Sequence, residues 1–285
     1  MQTRRDFITN AGIIAAGAAL FPQMLKAESV KYAGIQLWTV KDFMEKDPKG
    51  TLEKLAKMGY NEVESFGWDY FGMGPKGFKE YINSIGLKMR SAHGALAKEK
   101  ATDSNPANLQ ESVDRAAEAG LKYYIVPWTQ PGCRDTVDNC KLTAEYFNKY
   151  GEMCKKAGVK FVYHNHDFEF AMMGDKTVYE HYLDNTDPSL VSFEMDLFWV
   201  TIAGKNPTDY FKKYPNRFPL WHVKDLNKEK KESTEIGNGI IDFTRIFKQS
   251  KLAGLELAVV EQESFKGSSM DSAKVCLDNL KKLSY

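Results

Sequence analysis

Residues 159–170, VKFVYHNHDFEF, pass from an apolar run straight into His164, Asn165, His166, Asp167 and Glu169. Val159, Phe161, Val162 and Tyr163 suit a buried strand, and packing alone does not call for so many metal-capable side chains at its end. A strand that continues through this point puts His164 and His166 on one face, one pleat repeat apart. Imidazoles so placed can ligate a divalent metal or carry a proton.

Other apolar runs end in the same way. Gln36 and Trp38 follow the first, Glu62 and Glu64 lie in the second, His93 ends the third, and Pro127 and Trp128 follow the fourth. Glu194 and Asp196 belong to the sixth, His222, Lys224 and Asp225 to the seventh, and Glu261 and Glu263 to the eighth. Imidazoles mixed with carboxylates on facing strands make a divalent-metal site, and nitrogen with oxygen donors favours Mn, Zn, Co or Fe over Ca. The period of two does not choose between His164 and His166, or between Glu194 and Asp196. Asp167, Asp225 or Glu263 could orient the imidazoles from behind. Trp38, Phe66, Trp68, Tyr70, Trp128, Phe198 and Trp199 add flat apolar faces of the kind that cover the C–H face of a sugar. On these grounds Trp38, Glu64, His93, Trp128 and Glu194 are candidate substrate contacts. His181, within Tyr179-Glu180-His181-Tyr182, falls on a predicted helix and is read as structural.

The elements that must position these groups repeat along the chain. A helix-like segment closes on a glycine, at Gly59, Gly86, Gly120, Gly158 and Gly254, and a short apolar strand follows. Glycine just past a helix takes the left-handed cap conformation cheaply and lets the chain turn back. The pattern predicts strands over 33–37, 62–65, 88–92, 123–126, 159–163, 190–195, 220–223 and 257–260. Helices are predicted over 51–57, 107–119, 137–156, 207–214, 243–249 and 272–283. Eight such alternations make a single (β/α)8 TIM barrel from about residue 29 to residue 285, with its active site at the C-terminal ends of the strands. A doubly wound open sheet would need a strand-GxGxxG-helix unit, which the sequence lacks.

The chain has 285 residues, 43% of them hydrophobic, and a net charge of +1, which gives no footprint for nucleic acid or an anionic membrane. Cys133, Cys140, Cys154 and Cys276 show no CxxC spacing. The lysine-rich run 224–231 reads as a solvated loop. Residues 1–27 resemble a twin-arginine export signal: Arg4-Arg5 precede an apolar stretch too short for a permanent membrane anchor. That reading places the protein in the periplasm; without it the protein is cytoplasmic. Assembly into a homo-oligomer is left open.

The strand ends resemble the xylose isomerase-like barrel superfamily of sugar and sugar-phosphate isomerases and epimerases, to which inosose dehydratases are related. Tyr163-His164-Asn165-His166, Glu194-Met195-Asp196, Trp221-His222-Val223-Lys224-Asp225, 237–243 and Val260-Glu261-Gln262-Glu263 carry the resemblance. It implies a metal held by His164, Asp196, His222 and Glu261. His164 stands where the family has Glu, which removes one of the two carboxylates with which epimerases move a proton.

The expected activity is therefore a divalent-metal-dependent isomerase or epimerase that works through the enediolate of a keto-sugar, with Glu261, Lys224 and His166 as catalytic residues. The alternative is a lyase or dehydratase that expels a β-substituent from a 3-keto-glycoside or keto-inositol. A non-catalytic sugar-binding barrel is the second alternative. Metal-dependent abasic-site endonucleases share the superfamily, but five histidines and a near-neutral charge fit them poorly.

Overall fold

The computed structural model describes residues 33–67, 69–94, 106–229 and 231–283. Residues 1–27 and Trp68, on which two of the sequence expectations fall, lie outside the described residues. Eight parallel strands close a barrel: β1 (Ala33–Gln36), β2 (Glu62–Phe66), β3 (Lys88–His93), β4 (Tyr123–Val126), β5 (Lys160–His164), β6 (Val191–Asp196), β7 (Leu220–Val223) and β8 (Leu257–Val260). Their order around the wall is β1-β8-β7-β6-β5-β4-β3-β2, the connectivity of a (β/α)8 barrel. All five glycines named above have positive φ, from 74° at Gly120 to 104° at Gly59. These left-handed caps return the chain to β2, β3, β4, β5 and β8, whereas the helices before β6 and β7 end at Asn185 and Tyr214 with negative φ.

On β5, β7 and β8 the inward face changes character along the strand. Tyr123, Ile125, Val162, Leu220, Leu257 and Val259 form an apolar plug inside the barrel. At the same parity, one step or two toward the C-terminal end, stand His164, Glu194, His222 and Glu261. A larger apolar cluster fills the space between barrel and helices, with Phe147, Phe161, Tyr163, Phe193, Phe211 and Trp221 among its members. The site therefore rests on a packed floor and inside a packed jacket.

Helices run over Pro48–Met58, Gly74–Ser84, Pro106–Glu118, Val137–Lys156, Pro207–Lys213 and Ser269–Lys282, among others. The second of these was not anticipated, since it opens on Gly74-Pro75 and contains Gly77, all poor helix formers. The expected 243–249 helix is broken into Phe243–Phe247 and Ser250–Ala253. Two short hairpins were also missed, Met172–Met173 with Lys176–Thr177 and Asp225–Asn227 with Glu232–Thr234.

The second hairpin corrects the reading of 224–231 as a solvated loop. Lys224 and Asp225 are fully buried. The Asp225 carboxylate accepts backbone N–H bonds from Leu226 at 2.8 Å, Gly237 at 2.9 Å, Gly239 at 3.0 Å and Ile241 at 3.1 Å. Four amide donors fill its acceptor capacity, so Asp225 braces a loop and orients no imidazole. All four cysteines are buried free thiols. No described helix is long and apolar enough to cross a membrane.

Candidate active site

Strand register sorts the site into two tiers. His164 pairs in register with Glu194, and Asp196 with His222. Asp196 stands two positions beyond Glu194 on β6, so His164 belongs to the deeper tier and the level of Asp196 on β5 falls to His166.

The deeper tier is a closed network of imidazoles and carboxylates. Glu194 Oε2 lies 3.0 Å from His164 Nδ1, 3.2 Å from His222 Nε2 and 3.3 Å from His93 Nε2. Glu64 Oε1 lies 2.8 Å from His222 Nε2 and 3.1 Å from His93 Nε2, and accepts the Gln36 amide at 2.8 Å. Its other oxygen accepts the Ser91 hydroxyl at 2.6 Å. The His93 and His222 rings stack, with centroids 5.4 Å apart and planes at 10°.

The upper tier gathers around Lys224. Its buried Nζ lies 2.8 Å from Glu261 Oε2, 3.0 Å from Glu263 Oε2 and 3.2 Å from Asp196 Oδ2. His222 Nδ1 is 3.1 Å from Glu261 Oε2 and 3.8 Å from Asp196 Oδ2. Asp196 is held in place twice over. Its Oδ1 accepts the amides of Phe198 and Trp199 at the start of the following helix, at 2.8 and 2.9 Å. Its own amide donates to Asn165 Oδ1 at 3.1 Å.

Burial and these neighbours set the charges. Burial raises Glu261, but Lys224 and His222 outweigh it and hold the carboxyl well below its ordinary range. Burial likewise raises Glu64, and His222 and His93 overturn that. Glu194 rises to about 7 through burial and the charge of Glu64, and Asp196 to about 6 chiefly through burial. His93 is lifted to about 9 because Glu64 and Glu194 outweigh its burial. His166 falls to about 4 through burial and the charge of Lys224.

Above both tiers opens a cavity of about 450 Å³ lined by Trp38, Phe66, His93, Pro127, Trp128, His164, His166, Phe168, Glu261 and Glu263. Its carboxylates come from the end of β8, and its imidazoles from β3 and from the end of β5. Trp38 and Trp128 are 42% and 44% exposed on the rim. The His166 ring stacks on Phe168 at 5.4 Å and 7°, and its backbone amide donates to Glu169 Oε2 at 2.8 Å.

Several expected positions fall elsewhere. Tyr70 is buried against Phe78, away from the cavity. Phe198 and Trp199 lie over the Lys224 ammonium, at 5.2 and 4.9 Å. Lys224 itself sits behind Glu261 and does not line the cavity. His181 is buried on the helix Val178–Asp184, its Nε2 2.8 Å from the Met173 carbonyl, in keeping with a structural role. Asp167 is exposed, Glu263 faces Lys224, and the carboxylates behind His222 are Glu64 and Glu194.

Sequence reasoning named Gln36, Asn165 and Glu169 at strand ends without assigning them partners, and missed the support provided by Ser91 and the Tyr163 hydroxyl. The Tyr163 hydroxyl donates to Glu169, whose carboxyl burial raises to about 7. For Glu169 the signal was its own placement, an acidic residue between two phenylalanines.

The donor set fits a divalent cation. Asp196, His222 and Glu261 bring ligand atoms within 4.8 Å of one another, as do His93, His164, Glu194 and His222. Glu194 Oε1 and His166 Nδ1 are buried without a hydrogen-bond partner, and Asp196 Oδ2 has only its ion-pair neighbours. Residues 52–282 match the family model of the xylose isomerase-like TIM barrel. The chain belongs to that family.

Among relatives in the family, the inosose dehydratase of Clostridium perfringens is 32% identical over a match that covers 43% of this chain and 48% of that protein. The chain thus spans about half the length of the curated relatives it matches first. An inosose dehydratase of Lacticaseibacillus casei matches at 23% identity across 83% of this chain and 91% of its own. A crystal structure of a sugar phosphate isomerase/epimerase from Parabacteroides distasonis superposes with a TM-score of 0.79 at 28% identity, covering 90% of this chain and 95% of that one.

Proposed function

We propose that this barrel is a divalent-metal-dependent enzyme that removes the proton beside the carbonyl of a keto-sugar or keto-cyclitol and then expels a β-oxygen substituent. Asp196, His222 and Glu261 would hold the metal, with His164 as the donor from β5, which leaves His166 for proton transfer. A metal held there supplies Lewis acidity toward a carbonyl oxygen and its neighbouring hydroxyl.

The carrying observation is that the His166 imidazole lines the cavity together with Glu261 and makes no ion pair with the carboxylates around it. Glu261 and Glu263 are both engaged by Lys224, and His93 Nε2 by Glu64 and Glu194. His166 Nδ1 has no partner. His166 would take the α-proton, and the C–H electron pair would pass into the enolate. The β C–O bond would break with its electron pair, and His166 would return the proton to the departing oxygen. One carrier completes that cycle, whereas inversion at carbon needs a second free carrier on the opposite face. Lys224 keeps Glu261 ionised, and Trp38 and Trp128 offer apolar faces to the ring. The inosose dehydratase relatives support elimination.

Reprotonation at carbon instead gives an isomerase or epimerase, the reading favoured by the likeness to the Parabacteroides distasonis structure. Metal analysis of the purified protein, followed by incubation with keto-sugars and 3-keto-glycosides in deuterated water, tests both. Metal-dependent deuterium exchange with release of an alcohol or water is the expected result. Exchange with an isomeric product would replace the lyase by the isomerase. No exchange on any substrate would overturn enolisation and leave a sugar-binding barrel.

A further inference from the structure

A second cavity, of about 400 Å³, opens beside the first, and the two share Trp38 and Glu263. The Trp38 indole meets Phe66 edge-on at 5.1 Å, so it is braced, and Lys41 Nζ sits 4.0 Å from its centroid. Beyond the indole the wall is polar. Asp42 Oδ1 accepts the Ser269 hydroxyl at 2.6 Å, and Lys41 pairs with Glu45 at 3.7 Å. Glu263 is paired with Lys224, and of the remaining charges the carboxylates Asp42 and Glu45 outnumber the Lys41 ammonium. That balance repels a phosphoryl or carboxylate group. Carboxylate acceptors and the Lys41 donor beside the Trp38 indole match the hydroxyls and C–H face of an uncharged sugar.

We infer that the substrate is a neutral two-ring glycoside, its keto ring in the cavity over Glu261 and its second ring between Trp38, Asp42 and Glu45. The inference rests on the enolisation reading of the first cavity and names its substrate class. The glycosidic oxygen then lies at the boundary formed by Trp38 and Glu263. Cleavage of its bond to the keto ring, with the proton delivered to that oxygen, releases the second sugar as an alcohol.

The test compares the metal-loaded enzyme on a 3-keto-disaccharide, the matching keto-monosaccharide and its 6-phosphate. The disaccharide is expected to be turned over with kcat/KM about tenfold or more above the monosaccharide, the equivalent of one or two added hydrogen bonds. Glu45→Trp, which fills the second cavity, and Lys41→Ala, which strips its donor, should both lower that ratio, mainly through KM. Saturation-transfer NMR with an unoxidised disaccharide reads binding without turnover. Contacts from both rings are expected, with those of the second ring lost in Glu45→Trp. Equal kcat/KM for one and two rings, preference for the phosphate, or a ratio unchanged in both variants overturns the inference. Absence of exchange on every keto-sugar overturns enolisation instead, and the NMR contacts then decide the second ring alone.

Discussion

Glu64 Oε1 lies 2.8 Å from His222 Nε2, joining β2 to β7 across the interior of the barrel. The opposite ring nitrogen faces Glu261 and Asp196. A carboxylate behind an imidazole fixes the tautomer and orientation in which the other nitrogen can ligate a metal.

Glu64→Gln keeps the shape and removes the charge. Metal affinity is expected to fall about 10- to 100-fold, as it does when such a supporting carboxylate is lost elsewhere. A metal titration of the purified variant measures it. An unchanged affinity would show that His222 is oriented without Glu64.

Lys224→Met leaves Asp196, Glu261 and Glu263 facing one another without their cation. Removing one partner from a buried ion pair costs about 3–5 kcal/mol, so the variant should unfold at markedly lower denaturant concentration. Adding Glu263→Gln should recover part of the loss, because it removes one uncompensated charge. An additive double mutant would show that the two groups are not coupled.

Glu169 makes stability depend on pH. Its folded carboxyl holds a proton up to about pH 7, against an ordinary value of 4.5, because burial outweighs the bonds from Tyr163 and the His166 amide. The proton is bound more tightly in the folded state, so this contribution is complete below 4.5 and is lost as pH rises through about 7. The melting temperature of Glu169→Gln should therefore gain on that of the parent between pH 5 and pH 8. A constant difference across that window would place the Glu169 titration outside it.

At Gly239 an added Cβ would meet the Asp225 carboxylate and the Leu226 carbonyl. Gly239→Ala must push the loop off Asp225, at a cost of about 1–3 kcal/mol, the range for overpacking a tight site. Calorimetry reads the shift. Gly267→Ala, whose Cβ would meet nothing, is the control.

The barrel was legible because buried parallel strands read as short apolar runs and because glycine caps mark the returns into β2, β3, β4, β5 and β8. His93, His164 and Asp196 close their strands one residue later than the apolar runs suggested, since a polar side chain can still point into a barrel. Site parity was legible too, but depth was not. Whether His164 stands beside Glu194 or Asp196 follows from the register between β5 and β6, and no single strand carries that information. Lys224 and Asp225 looked like the start of a charged loop, yet one is shared among three carboxylates and the other collects four amide protons. Those partners come from residues up to 39 positions away.

The seam that closes the barrel joins β1 to β8, with Ala33 in register with Ala258. The earliest strand of the described chain therefore waits for the latest one before its second edge is paired. Until β8 arrives, β1 and β7 both present open edges, the condition under which nascent chains stick to one another. Glu261 directly follows that closing strand, so a chain shortened before it would lack both the seam and the Glu261 carboxylate. Metal uptake would then serve as a reporter that the β1–β8 seam has closed.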